Sequence, residues 1–197
     1  MLDRSQQLER YTAVAVALHW AIAVLILFNL GLGFFMEGFP PPYRGIILPM
    51  HMSSGITVLA LSVARIAWRI THHPPEFSAG ITKAETFAAH TVHYLLYAGM
   101  IIMPLTGWSI ISAHPPHPGA GATIWWGLFH LPPLGPVSHL EPTFQKHMHG
   151  VFVQSHTIGG YIMVALLLAH VAGALKHQFL DGHREFARMA IPVSKRG

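Results

Sequence analysis

Four apolar stretches, residues 13–35, 46–68, 87–112 and 151–175, decide what this chain can become. Each is long enough for the roughly 20 residues of helix that cross a bilayer. Arg65, near the end of the second, is the only formally charged residue in any of them. The expected fold is therefore an all-α integral membrane protein: one domain over residues 1–197, built as a four-transmembrane-helix bundle. Composition agrees, since 52% of residues are hydrophobic and only 10% charged, where soluble chains carry about a quarter charged residues. Arg4 and Arg10 precede the first stretch as they would in a signal peptide, but the run is too long for a signal core and lacks a convincing cleavage site. It reads as a helix.

An even number of spans places both termini and the loop 71–86 on one side. That side collects Arg4, Arg10, Arg65, Arg69, Lys83, Lys176, Arg184, Arg188, Lys195 and Arg196, against Arg44 and Lys146 on the other. The positive-inside rule makes the richer side, with both termini, cytoplasmic, as expected for a bacterial inner-membrane protein. The net charge of +4 is thus explained by topology and by anionic headgroups. No nucleic-acid partner is expected. Residues 113–150, with seven prolines and six histidines, are too irregular for another crossing and form an outer cap loop. Its stretch "IWWGLFHLPPL" has the aromatic and proline content of a segment lying in the membrane interface.

The chain has 16 histidines and no cysteine. Lack of cysteine removes disulfides, iron–sulfur clusters, thiolate ligation and covalent c-type haem attachment, so a redox metal would rely on His, Met or oxygen, with histidine the obvious candidate. Placed by depth, the intramembrane histidines fall into two layers: His51 with His156 outside, and His19, His93 and His170 inside. His156 and His170 lie fourteen residues apart in "HTIGGYIMVALLLAH", nearly on one helical face and about 21 Å apart along it. Two layers are what a pair of stacked b haems would need, with ligands from facing helices. Two imidazoles on one iron leave no open position, which favours electron transfer. Taken singly, each histidine could equally be a polar helix–helix contact, or part of a proton or metal-ion path through a haem-free transporter.

The stretches "RYTAVAVALHW", "HMSSGITVLALSVARIAWR", "AHTVHYLLYAGMIIMPLTGW" and "AHVAGALKHQFLDGHREFARM" together resemble successive signatures of the bacterial cytochrome b561 family. The resemblance runs in order over nearly the whole chain. It implies a dihaem membrane cytochrome, an oxidoreductase or electron-transfer protein that exchanges electrons with ubiquinone. Carried over, His19 and His170 match axial ligands of the inner haem iron, and His51 and His156 those of the outer one. His93 and His177 match positions associated with quinone in the family's superoxide oxidase, where superoxide is oxidised at the outer haem and ubiquinone is reduced at the inner side. Making His93 the inner ligand is the rival assignment. The expected partners are the lipid bilayer, ubiquinone and a small outer-side donor, with superoxide favoured. The alternative is an anchor subunit that docks a hydrogenase or dehydrogenase through the cap and relays its electrons to quinone. The cap histidines His114, His117, His130, His139, His147 and His149 depart from the compact family pattern, and their irregular spacing reads as solvated loop rather than a zinc or copper site.

Overall fold

The computed structural model describes residues 10–75, 80–113, 123–182 and 185–189. Arg4, Arg184, Lys195, Arg196, His114 and His117 lie outside these described residues. Four long helices dominate: α1 (Ala13–Phe35), α2 (Pro41–Thr71), α3 (Lys83–Ser112) and, after two short strands and the single-turn α4 (Gly135–Ser138), α5 (Pro142–Phe179). A last turn, α6 (Glu185–Arg188), follows. All four long helices are long and apolar enough to cross a membrane.

Local chemistry sets their ends. The Thr12 hydroxyl accepts from the Ala15 amide to cap α1. Thr82 and Glu85 form a reciprocal capping box at the start of α3. α5 begins nine residues before the apolar stretch does. Glu141 caps it, accepting from the Thr143 and Phe144 amides at 3.0 and 3.0 Å, and Pro142 sits in the first turn where its missing N–H is harmless. His147 and His149, expected in the cap, therefore stand on a helix. α2 likewise starts early at Pro41 and Pro42, which leaves Pro49 inside the helix rather than in its first turn. α3 continues as helix through Pro104.

The packing is inside-out relative to a soluble protein. The fully buried side chains include Ser53, Ser54, Ser62 and Ser112, whereas Leu27 is 65% and Leu168 66% exposed. Such an apolar girdle is stable only against lipid, so the chain is an integral membrane protein. α1 packs on α2, α2 on α3, and α3 most extensively on α5. Ile22, Ile26, Val58, Leu96, Met100 and Met163 form the buried centre. α3 and α5 interlock reciprocally: a side chain at Gly99 would strike the Met163 thioether, and one at Gly159 would strike that of Met103. α5 makes no more than incidental backbone contact with α1 or α2. The bundle is thus two helix pairs joined through α2 and α3, with an open seam along α5.

The segment expected as an irregular cap contains a hairpin, β1 (Thr123–Trp125) against β2 (Phe129–Leu131), with Ile124 opposite His130. Trp126 and Gly127 both adopt positive φ, 48° and 74°, and the Leu128 amide donates to the Trp125 carbonyl. That is a mirror-image turn over residues 125–128, set within a three-residue connection, since Trp125 pairs with Phe129. A tryptophan there is unusual. It is held from both ends, its amide donating to the Ser53 hydroxyl at 3.0 Å and its indole to the Thr57 hydroxyl at 2.9 Å.

Candidate functional site

Five of the six histidines singled out by the sequence converge in two clusters, one towards each end of the bundle. At the hairpin end, His51 of α2 faces His156 of α5 with ring centroids 6.0 Å apart. At the end carrying the termini, His19 of α1 faces His170 of α5 at 6.1 Å, and His93 of α3 approaches His170 at 5.1 Å. All five rings are half-buried. Both wider pairs cross the open seam. The helices there are spaced by side chains rather than by backbone contact, as a flat group between them requires.

The separations carry chemical information. With a metal–imidazole bond of about 2.0 Å and about 1.2 Å from nitrogen to ring centre, two imidazoles on opposite sides of one metal stand about 6.4 Å apart. The pairs at 6.0 and 6.1 Å match within a few tenths of an ångström. The 5.1 Å approach of His93 is too close for an interposed iron.

Second partners fix which nitrogen is free. His51 Nδ1 lies 3.1 Å from the Asn29 backbone carbonyl, which can only accept, so Nδ1 carries the hydrogen and Nε2 keeps its lone pair. The Asn29 side-chain oxygen accepts from Ser54 at 2.8 Å, holding this turn of α1 against α2. Thr106 donates its own hydrogen to the Met103 carbonyl at 2.8 Å, so its oxygen accepts from His156 Nδ1 at 3.0 Å. Again Nε2 is left for a metal. Metal-binding histidines nearly always donate their other N–H in this way.

Two glycines make room for the rings. A Cβ at Gly33 would lie 3.1 Å from His51 Cε1, and one at Gly107 would lie 3.2 Å from His156 Cε1. The sequence reading missed Asn29, Thr106, Gly33 and Gly107. For Asn29 there was a signal: it is the chain's single asparagine, set in an otherwise apolar span.

His177 stands apart from the rings. Lying seven residues beyond His170, it is about 10 Å further along α5. Its Nδ1 pairs with Asp181 at 2.8 Å, and Lys176 bridges Asp181 at 2.7 Å and Glu85 of α3 at 2.5 Å. The Lys176 hydrogen bond, then that from His177, holds the Asp181 carboxyl below its ordinary value. Glu85, His177 and Asp181 present ligand atoms within 4.8 Å of one another, but the Lys176 ammonium already bridges the two carboxylates. Of the cap histidines, His139 bonds the Gly135 carbonyl and His147 stacks on Phe144.

A lipid-facing four-helix bundle that sets imidazole pairs across its interior at metal-bridging separation has the architecture of a membrane cytochrome b. Comparison with known proteins gives the particular group. The family described as "Prokaryotic cytochrome b561" matches residues 10–190. "Cytochrome b561 homolog 2" of Escherichia coli strain K12 is 26% identical over 183 residues, covering 92% of this chain and 91% of that protein. "Cytochrome b562" of Cereibacter sphaeroides is 28% identical over 188 residues, covering 92% and 96%. The Yersinia pestis protein named "Probable superoxide oxidase CybB" is 24% identical over 104 residues, covering 52% and 58%. The chain belongs to the prokaryotic cytochrome b561 family, haem-containing electron-transfer proteins of the membrane.

Proposed function

We propose that this protein is a dihaem cytochrome b of the bacterial inner membrane, passing electrons between a donor at the hairpin end and ubiquinone at the end bearing the termini. The two imidazole pairs at 6.0 and 6.1 Å carry the reading. His51 and His156 are the axial ligands of the outer haem, and His19 and His170 those of the inner one. Each haem supplies a reversible one-electron carrier with no open coordination position. The positive-inside asymmetry of Lys and Arg supports the termini being cytoplasmic.

Ubiquinone reduction takes two electrons and two protons, and histidine is the side chain that titrates near neutral pH. His93, beside His170, and His177, hydrogen-bonded to Asp181, are the proposed quinone contacts. Asp181 orients the His177 ring, and Lys176 holds Asp181 in turn. Superoxide is the favoured donor, a choice supported by the name of the Yersinia pestis relative. Arg44, whose side chain is tied to the Phe39 and Glu37 carbonyls, and exposed Lys146 supply the positive charge at that end.

A reduced-minus-oxidised spectrum with haem quantified per chain tests the cofactor. Two b haems are expected, with His51→Ala and His19→Ala each removing a different one. A protein without b-type bands, as a haem-free transporter would be, overturns the reading. Rapid mixing with superoxide should reduce the haem at a near diffusion-limited rate and form quinol. Sluggish reduction removes superoxide as donor and leaves the haem assignment standing.

A further inference from the structure

Arg65 is the one formally charged residue within the four apolar stretches, and a charge at such a depth is costly unless it meets an opposite one. Its described partners are neutral. Nε donates to the Tyr97 hydroxyl at 3.2 Å and Nη1 to the Ala15 carbonyl at 3.1 Å. The ion pairs among the described residues involve Lys176 and His177, none of them Arg65.

The depth of Arg65 can be read from spacing. Arg65 follows His51 on α2 by fourteen residues, as His170 follows His156 on α5. Both intervals span about 21 Å and return to nearly the same helix face. Arg65 is therefore level with the inner histidines. Arg69, one turn nearer the end of the bundle, lies 5.8 Å from the centre of the Tyr97 ring, with Arg65 at 6.0 Å from the same ring. Both arginines line one open cleft, and Arg10 completes its rim.

We propose that Arg65 and Arg69 bind the two propionate carboxylates of the haem held by His19 and His170, with Arg10 closing the cleft behind them. The proposal rests on that pair being a haem site. A haem gripped by imidazoles inside a bilayer must bring its two carboxylates with it, and guanidinium is the side chain whose fork fits a carboxylate at two points. Depth selects this anion over a lipid phosphate. A headgroup sits at the rim, within reach of Arg10 and Arg69, whereas Arg65 is drawn inward onto Tyr97 and Ala15, level with the inner imidazoles.

The test uses the full chain in membranes from haem-deficient cells, titrated with haem b and with its dimethyl ester, whose carboxylates are masked. Binding at the inner pair should be about ten-fold weaker for the ester than for haem, as expected for loss of charge-assisted hydrogen bonds. Arg65→Gln should lower haem affinity part of the way to that of the ester, Arg65→Gln with Arg69→Gln all the way, and Arg65→Lys should restore part of the single-variant loss. Uptake at the outer pair is the internal control for folding. If wild-type protein binds ester and haem alike at the inner pair, the clamp is overturned, and this arm holds even where Arg65→Gln fails to fold. If instead His19→Ala keeps the inner haem, the haem assignment itself fails, an outcome distinguishable from failure of the clamp.

Discussion

Replacing Thr106 with valine deletes one oxygen and keeps the side-chain shape. In the native site that oxygen accepts from His156 Nδ1 at 3.0 Å, because its own hydrogen is committed to the Met103 carbonyl at 2.8 Å. Valine would turn a methyl group towards the N–H. Losing such an outer partner typically costs a metal-bound imidazole 10–100-fold in affinity. The Met103 carbonyl, released by the Thr106 hydroxyl, becomes an acceptor towards which the His156 N–H can turn. The loss should then sit at the lower end, about ten-fold or 1.4 kcal/mol. An imidazole that donates its hydrogen less well is also a poorer ligand for oxidised iron, so the outer haem should become easier to reduce. Haem retained per chain after detergent washing, together with a redox titration, reads both effects. Thr106→Ser, which keeps the acceptor, should match wild type. Should Thr106→Val keep the outer haem with unchanged retention and potential, His156 is not oriented as described, and the tautomer argument for the outer pair fails.

Gly33→Ala and Gly107→Ala each place a Cβ 3.1–3.2 Å from a ring carbon, so the imidazole must retreat by a few tenths of an ångström. Both should loosen the outer haem and spare the inner one, as separate titration of the two haems would reveal. His170→Ala should abolish the inner haem, whereas His93→Ala, removing a ring 5.1 Å from His170, should keep it and slow quinone reduction; loss of that haem in His93→Ala would instead favour His93 as the ligand. Gly99→Ala drives a methyl group into the Met163 thioether. Overpacking of this kind costs about 1–3 kcal/mol, visible as a lower melting temperature in detergent and relieved by adding Met163→Ala. The Asp181 carboxyl is held below its ordinary 3.8 first by Lys176 and then by His177. A depressed carboxyl stabilises the fold above that ordinary value and loses its effect as pH falls through the lower folded one. Amide exchange around 176–182, corrected for intrinsic rates, should accordingly stay flat down to about pH 4 and rise only below it in wild type, while Asp181→Asn exchanges faster at pH 7.

The parts of this fold legible in the sequence are those that follow from one-dimensional periodicity. Hydropathy located the four long helices, and counting residues along each sorted His19, His51, His93, His156 and His170 into their two clusters. Helix limits were less legible, because hydropathy stops where lipid stops, whereas the hydrogen-bond ladder of α5 runs back to a cap at Glu141. The hairpin escaped notice because its turn is Trp126-Gly127 rather than one of the usual Asn-Gly or Asp-Gly pairs, and its support comes from Ser53 and Thr57, some seventy residues away. Gly33 and Gly107 were ambiguous for a related reason. A glycine in a membrane helix is equally suited to helix contact, and only the neighbouring imidazole shows what its missing side chain makes room for.

The same geometry accounts for where the two pairs lie. α3 and α5 are locked by the reciprocal fit of Gly99 with Met163 and Gly159 with Met103, between the histidine layers, while α1 and α2 pack as the opposite pair. Each proposed ligand pair takes one imidazole from α5 and the other from α1 or α2, so neither site can form within one half of the bundle. Coordination on this assignment cross-links the halves at two depths along a seam that backbone contact leaves open. Phe34 against Tyr161, 5.2 Å apart, is a direct contact across that seam, and Gly160 beneath it keeps the approach close. On the proposed assignment the open seam and the paired imidazoles are one feature, since helices spaced for a flat cofactor would be bridged there by that cofactor's metal bonds.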